Sequence, residues 1–245
     1  MAGHSKWANI KHRKGKQDAL KGKVFAKLIR EITVAAKQSA DAAINPRLRL
    51  AVEKALMQNM SRDTIDRAIN RGSGSNDLTN LEEIVYEGYA PGGVAVLVYC
   101  LTDNRNRTAG EVRHAFSKHG GNLGTSGSVA YLFKQRGVIC FSAEKADEEK
   151  LMQLALAQEA EDLVYDDDGF EIITPYEKFF ATKAEFEATG ITPELAEISM
   201  VPVNRVLLDE ELSLKVLALT EALELLDDVQ NVYTNAELST KILEG

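Results

Sequence analysis

Apolar residues recur at helical spacing through Val24, Phe25, Leu28, Ile29, Ile32, Ala35 and Ala36, whereas Lys23, Lys27, Arg30 and Lys37 fall largely off that stripe. The pattern predicts an amphipathic helix with a basic outer face. A second helix is expected after Asn45-Pro46, where Asn can cap and Pro suits the first helical position, with Leu48, Val52, Ala55 and Leu56 turned inward. Ser61 caps a third, with Asp63 in its first turn, Ile65, Ala68 and Ile69 on one face, and Gly72 expected just past its end. Three short stripes need one another to be buried, so residues 23–77 read as one helical domain. Ahead of it, residues 1–22 hold very few large apolar side chains, which predicts a basic arm that stays flexible until bound.

After the helix-incompatible stretch Arg71 to Asp77, the periodicity shifts towards strands. Strands are expected around Ile84 to Tyr89, Val94 to Leu101 and Ser128 to Phe133, with a helix from Thr108 to His119. The run from Val138 to Val203 then reads strand, helix, strand, strand, helix, strand, with Asp167-Asp168-Gly169 as the central hairpin turn. A last helix, Glu210 to Leu226, and strand, Val229 to Thr234, would be orphaned unless they completed the unit left open at Phe133. The predicted class is α+β: an N-terminal three-helix head followed by two ferredoxin-like α/β units, the second inserted in the first. On that reading 78–135 and 205–245 form one discontinuous domain, and 136–204 is the inserted βαββαβ domain.

A length of 245 residues with 44% hydrophobic content suffices for several cores. The longest strongly apolar run, Val94 to Leu101, is far short of a membrane span and suits a buried strand. The polar, basic start does not resemble a secretion signal. Cys100 and Cys140, each within a strand-like run, read as reduced core thiols, so a cytoplasmic protein is expected.

Charge changes the picture more than composition does. Residues 1–75 hold 16 Lys/Arg against 6 Asp/Glu, a net +10, and the remainder holds 13 against 31, a net −18. A solvated surface accounts for the acidic body. The ten basic residues within the first 38 positions face only Asp18 and Glu31, and would repel one another unless a polyanion neutralised them.

Signs of catalysis and of bound cofactors are weak. Gly124-Thr125-Ser126-Gly127-Ser128 does not satisfy a nucleophile elbow, no phosphate-binding glycine loop is present, and the Gly-Gly pairs at 92–93 and 120–121 read as chain reversals. Asp166-Asp167-Asp168-Gly169 lacks the alternating ligands of a calcium loop, and His4, His12, His114 and His119 have no zinc-type spacing. No enzyme, no cofactor and no metal is expected.

Nucleic acid is the expected partner. The arm interleaves Lys6, Lys11, Arg13, Lys14, Lys16 and Lys21 with Trp7 and His12, cations for phosphates beside rings that can stack on bases. Lys23, Lys27 and Arg30 extend that basic character into the first helix. The second and third helices resemble a helix-turn-helix, with Arg62, Arg67 and Arg71 on the last, a pattern that small bundles also show without entering a groove. In the body, Arg105, Asn106, Arg107 and Thr108 sit at a helix start, where they can hold a phosphate or a carboxylate. An enzyme using that loop as an anion site is disfavoured, because no acid and base can be paired with a nucleophile.

Four segments in order carry a resemblance: Met1 to Lys14, Tyr86 to Gly93, Asp103 to Thr108, and Gly120 to Gly124. Together they resemble the YebC/PmpR family from end to end, with Ala90 standing where Gly is common. The resemblance implies a helical head and two α/β units. It also implies a cytoplasmic role in gene expression, with DNA-binding transcriptional regulation as the family's usual assignment and a ribosome-associated translation activator docking on ribosomal RNA as the alternative. Physically, a thin basic arm ahead of an anionic body suits a folded RNA cavity better than an extended duplex. The sequence leaves the oligomeric state open.

Overall fold

The structure is a computed structural model that describes residues 21–74, 80–143, 147–166 and 169–243. Most of the arm, from 1 to 20, lies outside the described residues.

Three helices form the head: α1 (Lys21–Ala36), α2 (Pro46–Met57) and α3 (Arg62–Ser73). Asn45 and Ser61 cap α2 and α3 through their side chains, accepting from the backbone N–H of Leu48 and Thr64. Ile32, Leu48, Ala55, Met60 and Ile65 fill the bundle's core. Gly72 does not lie past the end of α3, as the sequence suggested, but inside its last turn. A Cβ there would fall 2.0 Å from the Thr33 carbonyl oxygen, so glycine marks where α3 crosses α1 rather than where it stops.

The next elements are β1 (Glu82–Ala90), β2 (Val94–Thr102), α4 (Arg105–Lys118) and the two-residue β3 (Asn122–Leu123). The expected strand from Ser128 to Phe133 is absent. A 3-10 turn at Ala130–Leu132 leads instead into one long strand, β4 (Phe133–Ser142), which absorbs the separate strand expected from Val138. Gly137 allows that strand to run straight through, since a Cβ would lie 2.4 Å from the Phe179 ring. After β4 come α5 (Glu148–Ala157), β5 (Asp162–Asp166), β6 (Gly169–Pro175), α6 (Phe179–Ala188) and β7 (Leu195–Pro202). The chain closes with β8 (Val206–Leu207), α7 (Glu210–Glu224), β9 (Val229–Thr234), β10 (Ala236–Glu237) and the short α8 (Thr240–Leu243). Asp167 and Asp168, expected in the hairpin turn, lie outside the described residues, although Asp166 and Gly169 on either side pair.

The fold is α+β, a helical head followed by sheet-and-helix units. The sheet from β4 to β7 runs β5-β6-β4-β7 with every neighbour antiparallel, the ferredoxin-like order for βαββαβ. Beside a separate parallel pair of β8 and β10, the other four-stranded sheet runs β3-β1-β2-β9 and departs from that order. Its β1–β2 hairpin, tightly turned at Pro91–Gly93 and paired along nine residues, takes both central places, leaving the edges to β3 and β9. Helices α4 and α7 cover one face of this sheet through Val112, Phe116, Leu219 and Leu223. Against the opposite face pack Val129, Phe133 and Met200, from the connection into the second sheet and from that sheet itself. A single alternation along β2 serves both layers, which is why its residues are almost continuously buried.

Candidate nucleic-acid interface

The outer face of α1 is basic as predicted, yet its cations also bond to the body: Lys23 remains exposed, whereas Lys27 and Arg30 are half-buried. Lys23, Lys27 and Arg30 recur at i, i+4 and i+7 and reach the carboxyl end of α7. Lys23 Nζ donates to the Leu225 carbonyl at 2.7 Å and sits 3.3 Å from the Asp227 carboxylate. Lys27 Nζ donates to the Glu224 carbonyl at 2.7 Å, and Arg30 donates to the Asp227 carbonyl and, at 3.1 Å, to the Asp228 carboxylate. The reason is electrostatic. The last turn of α7 has no basic residue and is followed by Asp227 and Asp228, so negative charge gathers at the negative end of a helix dipole. The first turn of α1 holds Lys23 and no acid, the opposite mismatch. Each end relieves the other, at roughly 0.3–1 kcal/mol per well-placed charge.

Asp228 is the centre of this contact. It is 2% exposed and accepts from Arg107 Nη2 at 2.7 Å, Thr108 Oγ1 at 2.8 Å and Thr102 Oγ1 at 3.1 Å, besides Arg30. Burial alone would push this carboxyl up, but the Arg107 guanidinium and the two threonine hydroxyls outweigh it and hold it below the ordinary range. The loop at the start of α4, read from sequence as able to hold a phosphate or a carboxylate, therefore surrounds a carboxylate of its own chain. Asn104 caps the helix and Arg107 also pairs with Asp103 at 2.9 Å. Arg105 and Asn106 point outward and are exposed. Burial, and then the Asp228 charge, push the neighbouring Cys100 thiol up to about 12, which keeps it protonated.

On α3, Arg62, Arg67 and Arg71 are all exposed, as expected for an outward helix. Asp63 and Asp66 share that exposed side, and Arg67 is held by Asp63 at 2.5 Å. The head docks on the second sheet unit as well. Lys54 meets Glu197 at 2.9 Å, Glu53 meets Lys183 at 2.7 Å, and Arg49 lies over the Phe180 ring at 4.9 Å. Lys6, Trp7, Lys11, His12, Arg13, Lys14 and Lys16 lie outside the described residues, and Lys21 opens α1.

Three of the four motif segments converge on one corner of the first sheet. Tyr86 donates to the Arg105 carbonyl at 3.3 Å, and the Glu87 carbonyl accepts from Gly124 at 2.8 Å. The buried Glu87 carboxylate accepts from the backbone of Gly127, Val129 and Ala130 at 2.6, 2.8 and 2.8 Å. Burial pushes this carboxyl up, and three aligned N–H donors pull it below its ordinary value. A Cβ on Gly88 would lie 2.6 Å from the Asn122 carbonyl oxygen and 2.7 Å from the Phe116 ring, so glycine there is a packing requirement.

Comparison with known proteins agrees with this frame. A family model described as the TACO1/YebC second and third domain matches residues 81–236, and one described as the TACO1/YebC protein N-terminal domain matches residues 5–75. The chain belongs to the TACO1/YebC family. A relative from Hahella chejuensis, named a probable transcriptional regulatory protein, is 59% identical over 100% of this chain and 99% of its own. The transcriptional regulatory protein PmpR of Pseudomonas aeruginosa is 58% identical over 99% of this chain and 98% of its own. The crystal structure of a conserved hypothetical protein from Aquifex aeolicus superposes with a TM-score of 0.88 at 48% identity, covering 98% of this chain and 100% of that one. The resemblance to YebC and PmpR carried by the four motifs thus holds. In this TACO1/YebC chain, no helix among the described residues is long and apolar enough to cross a membrane.

Asp227 and Asp228 lie outside all four sequence motifs, although they carry a signal. Two acids immediately after a helix that lacks a basic last turn are unfavourable unless cations arrive from elsewhere. The chain supplies those cations about 200 positions away, in α1.

Proposed function

We propose that this TACO1/YebC protein is a cytoplasmic, non-enzymatic regulator of gene expression that binds nucleic acid through its amino-terminal arm, and that folded RNA, ribosomal RNA included, is its favoured target. The observation that carries this reading is the outward face of α3. Asp63 and Asp66 stand among its arginines, and Asp63 already neutralises Arg67. A helix entering the major groove of a duplex would bring those carboxylates towards phosphates and base edges. With Lys23, Lys27 and Arg30 bonded to the body, the densest run of cations left for a polyanion is the arm, where Trp7 can stack on an unpaired base.

A second reading, sequence-specific control of transcription on DNA, is favoured by the names that the Hahella and Pseudomonas relatives carry. The two separate in one titration of the intact chain against deproteinised ribosomal RNA and against a promoter-length DNA duplex, from low to physiological salt. The RNA reading expects tighter binding to ribosomal RNA at physiological salt, with duplex binding weak, steeply salt-dependent and little affected by sequence. Tight binding to one duplex sequence at physiological salt, without RNA binding, rejects it.

A further inference from the structure

We propose that the outward face of α4 is a second nucleic-acid contact, a surface for the phosphodiester backbone. The inference rests on the reading of the chain as a nucleic-acid binder and adds where on the body the strand lies.

Helix α4 is a cationic island in an acidic body. It carries four of the 13 basic residues beyond position 75, Arg105, Arg107, Arg113 and Lys118, against the single acid Glu111. Arg107 is taken by Asp103 and Asp228. The side chains of Arg105, Arg113, His114 and Lys118 are exposed and form no ion pair or hydrogen bond among the described residues.

The shape of that face is the second observation. Asn106, Gly110, Arg113, His114 and Ser117 follow one another at i, i+4, i+7, i+8 and i+11, so they share one side of the helix, and Glu111 falls off that spacing. Gly110 sits in the helix interior, where glycine is less favourable than alanine. Nothing among the described residues explains it. A Cβ on Gly110 would meet nothing within 4 Å, whereas one on Gly72, Gly88 or Gly121 would run into backbone or a ring. A low saddle of Asn, Gly and Ser flanked by Arg and His lets a sugar-phosphate chain approach the helix closely while cations reach its phosphates.

Position is the third observation. Asp228 binds Arg30 of α1 and Arg107 of α4 together, so the first turn of α4 lies beside the helix that follows the arm. From there α4 extends 14 residues, about 21 Å at roughly 1.5 Å per residue, long enough to follow several successive phosphates.

The test uses the full-length chain and two probes, deproteinised ribosomal RNA and a 30-base-pair DNA duplex of roughly physiological backbone charge density, each titrated over a salt series. Arg113→Gln is expected to weaken binding about fivefold and to flatten the salt slope by roughly 0.7 to 0.9, the share of one phosphate contact. Gly110→Gln is expected to weaken binding by a similar factor with the slope unchanged, because it blocks approach without removing charge. Its melting temperature should stay level or rise, a result that a merely structural role for α4 would not give. Whichever probe shows these losses identifies the source of the backbone. If both variants bind both probes like the parent while a chain lacking residues 1–20 has lost binding, the α4 surface is overturned and the arm reading stands. If removal of the arm changes nothing, the arm reading fails, and losses in the two α4 variants then place the main contact on α4. Failure of the unaltered chain to bind either probe overturns both.

Discussion

Arg30 and Asp228 stand 198 positions apart in the chain and 3.1 Å apart in space. Through this pair the head is fastened to the body at the carboxyl end of α7, and through the other oxygen of the same carboxylate the start of α4 is fastened to both. The charge asymmetry of the sequence is thus partly an internal complementarity. Some of the +10 of the head meets some of the −18 of the body inside the molecule.

Asp228→Asn should therefore destabilise the protein. It would weaken the pairing of Arg107 and Arg30 and disturb the buried hydroxyls of Thr102 and Thr108, a loss expected at about 2 kcal/mol. Arg107→Ala should cost less, since its side chain is 44% exposed and water can replace part of the contact. Denaturant unfolding of the two variants beside the parent checks the ranking, and equal costs would contradict it.

The same carboxylate makes a pH prediction. Asp228 and Glu87 are held below their ordinary values in the folded protein, so as pH falls the unfolded chain takes up protons first. The stability they contribute is fully present above the ordinary carboxylate range of about 4 and is lost progressively below it. Unfolding free energy measured from pH 7 to pH 3 should be level at first and fall at the acid end. The fall should be shallower in Asp228→Asn.

Glu87→Gln tests whether the motif around it is structural. Its carboxylate organises the backbone of 127–130, and an amide has one acceptor oxygen in place of two, so about 1–3 kcal/mol should be lost. Because these contacts are made to backbone within the body and involve no exposed cation, nucleic-acid affinity at a temperature where the variant is folded should be unchanged. A selective loss of affinity with unaltered stability would assign Glu87 to the interface instead.

Gly88→Ala and Gly72→Ala should each destabilise, by about 1–3 kcal/mol, because an added methyl meets rigid backbone rather than a side chain that can turn away. Thermal unfolding of both variants gives the comparison. Little or no change in either would show that the crossing of α1 and α3, or the seat of Phe116, has slack that the distances do not indicate.

Local signals were the most legible part of the sequence. Asn45 and Ser61 cap the helices they were expected to cap, and the order of elements from β4 to β7 followed from alternating periodicity. Long-range choices were not legible. The stretch from Ser128 to Phe133 has the composition of a strand, yet Glu87 draws its backbone N–H groups into a turn. Gly72 carries the mark of a helix end, but its reason lies across the bundle at Thr33. The basic stripe of α1 was visible, while its occupant was not, because Lys23, Lys27 and Arg30 find their partners almost a whole chain length away. Charge patterning read along the chain reports what needs neutralising, and only the fold shows how much of it the molecule neutralises itself.

On the function proposed above, affinity for nucleic acid resides chiefly in the arm. The direct measurement compares the intact chain with one lacking residues 1–20, by titration against deproteinised ribosomal RNA at physiological salt, with melting curves recorded on the same preparations. Removing the arm is expected to abolish most of the affinity and leave the melting transition nearly unchanged, since the described cores lie between residues 21 and 243. A truncated protein that melts like the parent and still binds ribosomal RNA as tightly would contradict it.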